Sequence, residues 1–413
     1  MRAPWHPPPL SSSHRSLFSA PAPAPGAGAW RADQNTRAAS KGEVAAAFGD
    51  LMARMWAPGG GGGGGGGERA AERPDRLKRA VGAVSARFAG YEQHDSQELL
   101  RCLLDALHDD TNRVRSKLAY EELKDPPDAP DAAVSEAWWR YFRARSDSRV
   151  WSLFAGQLRC ETQCAVCRHR SRAFDAVLDL SLAIRDGRDC SLAQCLAWFT
   201  APERIAAGDW FCPRCRKHQA AEKRYSLFRL PPVLVLHLKR FSSGAAGSPG
   251  FGFGGFAGAH GRTKIAAAVS FPAEALDLAP FLAPESPDLT AAGPSRGASG
   301  GVGGAGGAGT LYDLCGVVNH MGGRAARARG ARGACPRGRG CARSGLTHTP
   351  PFPFHPLFLS PPLARPWRAG SLNGGHYTAD CVNRDDRQWR CYNDSSVRVS
   401  SGPRSLSPTS AYL

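Results

Sequence analysis

Apolar positions along this chain change their spacing partway through. Leu99, Leu100, Leu103, Leu104 and Leu107 recur every three or four residues, which predicts one helical face over 96–110 with Asp95 or Ser96 as its N-cap. Trp138–Phe154 is aromatic-rich and reads as helical at its start. Beyond it the period shortens to two. Val177–Ile184 (VLDLSLAI) alternates as a half-buried strand, and VLVLHL over Val233–Leu238 is apolar enough for a strand covered on both faces. Leu311–Val318 and Tyr377–Val382 predict further strands. Helices first and strands later give an α+β fold.

Composition adds what the periodicity leaves out. With 413 residues the chain has room for one large domain or two ordinary ones. Its 47 glycines and 32 prolines collect in stretches that have neither period. These are a Pro-rich start over 1–32, a glycine run from Gly59 to Gly67, Gly/Ala/Ser-rich insertions over 242–261 and 291–309, and an Arg/Gly/Pro-rich insertion over 322–370. The last holds nine arginines and no Lys, Asp or Glu, so it supplies over half of the +17 net charge. A basic chain suggests nucleic acid, yet aromatic residues do not interleave with the basic ones as base stacking requires, and nucleic acid is not expected as a partner. No run of 18 apolar residues exists, and prolines break up the start, so neither a membrane span nor a signal peptide is expected. Thirteen cysteines without such a signal fit the reducing cytosol or nucleus, as metal-binding or catalytic thiols.

Four of those thiols have a metal-binding spacing. Cys164-Ala-Val-Cys167 and Cys212-Pro-Arg-Cys215 are two CxxC knuckles with 44 residues between them. Each knuckle offers two thiolates to one tetrahedral ion, and two knuckles complete a zinc shell with no open position. The implied zinc is structural. Near the C-terminus, Gly374-Gly375-His376-Tyr377-Thr378-Ala379 is followed by Trp389 and by Tyr392-Asn393-Asp394-Ser395. The glycines permit close backbone approach by a ligand. A hairpin would return Asn393 or Asp394 to the imidazole, as a general base needs a third group to fix its tautomer.

Taken in order, these motifs resemble the ubiquitin-specific proteases, papain-like cysteine deubiquitinases. The matching segments are YEQHDSQELLRCLLDALHDDTNRV after Gly90, both knuckles, LPPVLVLHLKRF from Leu230, YDLCGVVNH from Tyr312, GGHYTA and YNDSSV. The resemblance runs from about Asp33 to the end and implies a hand of thumb, palm and fingers, with the four-cysteine zinc site in the fingers. It makes His376 the general base, Asn393 its orienting residue and Asp394 an assistant or substitute. Gln93, Asp95 and Glu98, with Tyr377, are implied to hold the ubiquitin tail. Ubiquitin and ubiquitinated proteins are the implied partners. His94 and Leu99 depart mildly from the family pattern, which has Gln and Phe there.

One family element has no counterpart. The Gly-x-x-Asn-x-Gly-Asn-Thr-Cys-like box that carries the nucleophile is missing, and no cysteine precedes Cys102. Cys102 lies inside the 96–110 helix, Cys160, Cys190 and Cys195 stand in no such box, and Cys315, Cys381 and Cys391 read as small apolar fillers. Cys335 and Cys341 belong to the Arg-rich insertion. The chain as written is therefore expected to lack hydrolase activity, with an incomplete thumb. The missing box, the insertion ahead of His376 and the ending at Ser410–Leu413 suggest a partial gene model. The alternatives are an inactive ubiquitin-binding scaffold and, from a different class, an Arg/Gly-rich RNA-associated protein.

Overall fold

The computed structural model describes residues 29–56, 72–242 apart from 117, 124, 127, 128 and 186, 263–291, 309–321, 375–402 apart from 384 and 385, and 411–412. Most of the low-complexity stretches named above, and all of 322–370, lie outside the described residues.

Helices come first: α1 (Ala29–Ala32), α2 (Glu43–Trp56), α3 (Asp75–Val84), α4 (Ser96–Thr111), α5 (Asp131–Arg143) and α6 (Arg149–Phe154). Small side chains on α2 (Val44, Ala45, Ala47) let it lie close against Ala80 and Val81 of α3, Leu104 and Leu107 of α4, and Val150 of α6. The far end of α4 is tied to the start of α2. Buried Asp110 accepts from the Ala45 backbone N–H at 2.9 Å and from the Ser40 hydroxyl, placing a carboxylate where the α2 dipole favours one. Helix α4 begins where the sequence places it, since the Asp95 carboxylate accepts from the Gln97 N–H at 2.9 Å. Its leucine stripe is only half used, however. Leu104 and Leu107 are buried, while Leu99 and Leu100 remain 44% and 37% exposed, because the packed core of α2, α3 and α6 covers the later turns of α4.

Four antiparallel strands follow, ordered β2–β1–β8–β5, from β1 (Gly156–Cys164), β2 (Arg170–Val177), β5 (Glu203–Ile205) and β8 (Ala221–Arg229). Buried Asp131, at the start of α5, joins this sheet to the helices by accepting from Arg172 at 2.7 Å and pairing with Arg159 at 2.6 Å. The predicted strand Val177–Ile184 is two strands in two sheets. It breaks at Leu178–Asp179, where the Asp179 carboxylate accepts from Gln97 at 3.0 Å and Arg101 at 2.7 Å of α4. After the break, β3 (Leu180–Ala183) pairs parallel with β9 (Leu236–Lys239). That second strand is shorter than Val233–Leu238 and buries one face only. Leu236 and Leu238 point into the core, and half-buried His237 lies on the opposite face, against Ser181.

Around β3 and β9 lie β4 (Cys190–Ser191), α7 (Leu192–Phe199), β10 (Phe241–Ser242) with β11 (Thr263–Lys264), β12 (Val269–Ser270), β13 (Leu276–Asp277), α8 (Pro287–Ala291) and β14 (Leu311–Tyr312), while β6 (Phe211–Cys212) and β7 (Lys217–His218) form a separate hairpin. Leu182, Leu196, Leu238, Val269 and Leu278 form the centre of the larger core. The predicted strand Leu311–Val318 also divides, into β14 and β15 (Gly316–Met321). The last sheet is antiparallel, ordered β18–β17–β16–β15–β19, with β16 (His376–Val382), β17 (Trp389–Asn393), β18 (Ser396–Ser400) and β19 (Ala411–Tyr412). No helix among the described residues is long and apolar enough to cross a membrane.

Candidate functional site

His376 opens β16, and Asn393 closes β17, its antiparallel neighbour. The chain turns from β17 into β18 through only two residues, Asp394 and Ser395, with Asp394 left-handed at φ 49°. A short polar side chain tolerates that conformation, which two-residue hairpins require. This tight turn leaves Asn393 beside the imidazole: His376 Nε2 lies 2.5 Å from Asn393 Oδ1. A carbonyl oxygen only accepts, so the bond places the imidazole proton on Nε2 and the lone pair on Nδ1. Asp394 stands further off, with Oδ2 at 3.9 Å from Nε2 and its side chain 81% exposed. Between the two residues that the sequence offers, Asn393 makes the contact.

Gln93 holds the strand that carries His376. Its amide donates to the Gly375 carbonyl at 2.5 Å and accepts from the Gly375 N–H at 2.7 Å, a two-way pairing with the residue before His376. Gly375 is a glycine because of a protein neighbour rather than a ligand. A Cβ there would overlap the His320 ring, which also packs against Tyr377 at 4.7 Å between centroids. Gly374 lies outside the described residues. His320 sits on β15, paired to β16, and is buried. Burial, helped by the neighbouring Lys264 cation, pushes its pKa down to about 4, so it is neutral at ordinary pH. Lys264 donates to the His320 carbonyl at 2.5 Å and is itself pushed down to about 8 by burial.

The other acidic-box residues gather at the start of α4. Asp95 caps the helix, and Glu98 pairs with Arg87 at 2.5 Å. Burial, with the charge of Asp95, pushes the Tyr377 hydroxyl up to about 12. Asp95 also lies near His237, whose pKa burial lowers despite that carboxylate. The structure thus brings Gln93, Asp95 and Tyr377 together beside His376, with Glu98 one turn further along α4. His320, Lys264 and His237 join them without a sequence signal for their roles. A histidine within the apolar runs VVNH and VLHL was the only trace of two of them.

The four knuckle cysteines converge at the far end of the β1–β8 sheet. Cys164 ends β1, and Cys212 ends β6. In each knuckle the residue after the second cysteine is left-handed, Arg168 at φ 59° and Arg216 at φ 53°, and its N–H returns to the carbonyl of the first cysteine, at 3.1 and 2.8 Å. Two equivalent turns therefore face each other. All four sulfurs lie within 4.8 Å of one another, with Cys164–Cys215 at 3.9 Å and Cys167–Cys212 at 3.6 Å. Backbone N–H donation from Cys167 draws Cys164 down to about 6, whereas the thiol of Cys167 holds Cys215 up near 12. Crowded thiols that share protons in this way are a donor set for one metal cation.

Comparison with known proteins agrees with this arrangement. The sequence model of the family described as "Ubiquitin carboxyl-terminal hydrolase" matches residues 12–328 and 367–413. Among curated relatives, ubiquitin carboxyl-terminal hydrolase 2 of Bos taurus is 38% identical over 214 residues, covering 50% of this chain and 32% of the relative. Ubiquitin carboxyl-terminal hydrolase 8 of Arabidopsis thaliana is 41% identical over 144 residues, 35% of this chain and 15% of the relative. The chain thus spans about a third of the bovine relative's length and less of the plant one's. Among solved structures, Ubp8 in the SAGA DUB module bound to monoubiquitin has the same fold, with a TM-score of 0.54 and 20% identity, over 94% of this chain and 62% of that one. Sequence match across most of the chain, a shared fold and the His376–Asn393 pair place this protein in the ubiquitin carboxyl-terminal hydrolase family, as a ubiquitin-specific protease member.

Proposed function

We propose that the chain recognises the C-terminal tail of ubiquitin and presents it to His376, as a member of a family of thiol-dependent deubiquitinases that cleave the (iso)peptide bond after ubiquitin's last glycine. The carrying observation is the 2.5 Å contact between His376 Nε2 and Asn393 Oδ1, which directs the basic Nδ1 away from Asn393. In the reaction, a thiolate attacks the terminal carbonyl, His376 delivers a proton to the departing lysine amine, and water then cleaves the thioester. Gln93, Asp95 and Tyr377 flank the path to that ring.

Among the described residues no cysteine stands in the family's nucleophile box. Cys102, Cys160, Cys195, Cys315, Cys381 and Cys391 are each pushed up by burial, the reverse of what a nucleophilic thiol needs. A form without that thiol would hold ubiquitin without cleaving it. Zinc fits the knuckles: a tetrahedral Zn–S distance of about 2.3 Å implies sulfur–sulfur edges of about 3.8 Å, and the two pairs lie at 3.9 and 3.6 Å. It would fasten the β6–β7 hairpin to the tip of β1 and take no part in the chemistry. Exposure to a ubiquitin carrying a C-terminal electrophile tests this reading. A reversible complex without a covalent adduct is expected, and a ubiquitin-sized mass increase mapped to any cysteine of this chain would contradict it.

A further inference from the structure

A second pair of thiols meets away from the knuckles. Cys190 lies in β4, immediately before Ser191, the N-cap of α7, and Cys195 lies in the first turns of that helix. Their sulfurs are 3.6 Å apart. The backbone between them is fixed by a complete capping box: Ser191 Oγ accepts from the Gln194 N–H at 3.2 Å, and Gln194 Oε1 accepts from the Ser191 N–H at 2.7 Å. Strand β4 is itself held to β12 by the Cys190 N–H bond to the Ala268 carbonyl at 2.9 Å. The two cysteines differ in access. Cys195 is fully buried among Leu192 and Leu196, whereas Cys190 is half-buried at the surface of the core.

We propose that Cys190 and Cys195 form a reversible peroxide-sensitive dithiol, with Cys190 as the thiol oxidised first and Cys195 as the resolving thiol. The Cys190 sulfur attacks one oxygen of hydrogen peroxide and the O–O bond breaks. The departing hydroxide leaves as water with the thiol proton, and Cys190 becomes a sulfenic acid. The Cys195 sulfur, already in contact, then attacks the Cys190 sulfur. The S–O bond breaks, the hydroxyl leaves as a second water with the Cys195 proton, and the disulfide forms. Two electrons pass from the thiol pair to one peroxide, and a dithiol reductant returns them. Bond closure to about 2 Å asks the sulfurs to approach by about 1.5 Å, within reach of a side-chain rotation at Cys190. Burial holds the Cys195 thiol up at about 12, which leaves the less buried Cys190 as the thiol that meets peroxide first.

Tryptic cleavage after Arg188 and Arg204 leaves both cysteines on one peptide, 189–204. The metal-loaded full chain is treated with hydrogen peroxide, blocked with iodoacetamide and mapped by mass spectrometry. The expected result is a 189–204 peptide that has lost two hydrogens, resists alkylation and recovers both thiols after dithiothreitol, while the knuckle cysteines keep their metal. Cys195→Ala should leave Cys190 as a sulfenic acid that dimedone traps, and Cys190→Ser should leave Cys195 reduced. The proposal is overturned if both thiols of the folded wild type stay alkylatable while other cysteines oxidise. It is equally overturned if Cys190 proceeds to stable oxygen adducts with Cys195 still reduced.

Discussion

Gln93 and Gly375 lie 282 positions apart in the chain and exchange two hydrogen bonds, amide to peptide, beside His376. The pairing registers the lead-in to α4 against the strand that carries the imidazole. Residues of the acidic box and of the histidine strand are thereby held to one another directly, without a ligand between them. Replacing the amide with an apolar side chain of similar size leaves a peptide N–H and C=O without their partner. Gln93→Leu should cost about 1–3 kcal/mol and speed hydrogen exchange at the Gly375 amide. Urea unfolding and residue-resolved exchange check both, and an unchanged exchange rate would show that the pairing does not constrain the strand.

Gly375 is required by His320. Gly375→Ala should destabilise by about 1–3 kcal/mol through overpacking, and His320→Ala in the same chain should recover part of that loss. A double-mutant cycle on unfolding free energies tests it. Additive effects would mean that the two residues do not compete for the same space.

Asn393, rather than Asp394, sets the imidazole tautomer. In Asn393→Ala the proton on Nε2 loses its acceptor, and the two neutral tautomers should approach comparable populations. Asp394→Ala should leave the Nε2–H form dominant, because its carboxylate stands at 3.9 Å and faces solvent. Nitrogen-15 chemical shifts of the neutral His376 ring report the tautomer in each variant.

Neutral His320 makes the fold acid-sensitive. Its pKa is lowered from 6.5 to about 4 by folding, so between those values the unfolded chain binds more protons than the folded one. Stability therefore rises with pH through that window and is lost as pH falls through it. His320 contributes about 3 kcal/mol to that loss. His320→Gln should flatten the pH dependence of the urea midpoint relative to wild type between pH 6.5 and 4. Parallel curves for the two proteins would contradict the assignment.

Chelation should release the knuckles. Stripping the metal, or replacing Cys212 with Ser, is expected to abolish metal binding and to expose the β6–β7 hairpin to protease while α4 stays protected. Elemental analysis and limited proteolysis check this. An unaltered digestion pattern in the metal-free protein would show that the ion is not structural.

Much of this was legible beforehand, for identifiable reasons. Local signals held. The Asp95 cap begins α4 where the leucine period starts, and the doubled CxxC spacing converges on one point. Long-range effects were hidden. Val177–Ile184 reads as one strand because its alternation is unbroken, and only Gln97 and Arg101, far away in sequence, pull Asp179 out of it. The five leucines of α4 look equivalent, yet packed helices cover only its later turns. Gly375 reads as space for a ligand, while the neighbour that fills that space, His320, belongs to a strand more than fifty residues earlier. His320 and Lys264 escaped notice because a buried neutral histidine and a lysine bonded to a backbone carbonyl leave no motif.

The proposed function is recognition of the ubiquitin tail beside His376. Isothermal titration of the metal-loaded chain with ubiquitin, and with ubiquitin lacking its C-terminal tail, tests it most directly. Saturable binding to intact ubiquitin is expected, lost with the tail and weakened by Gln93→Leu. Equal affinity for both forms, or no binding to either, would contradict it.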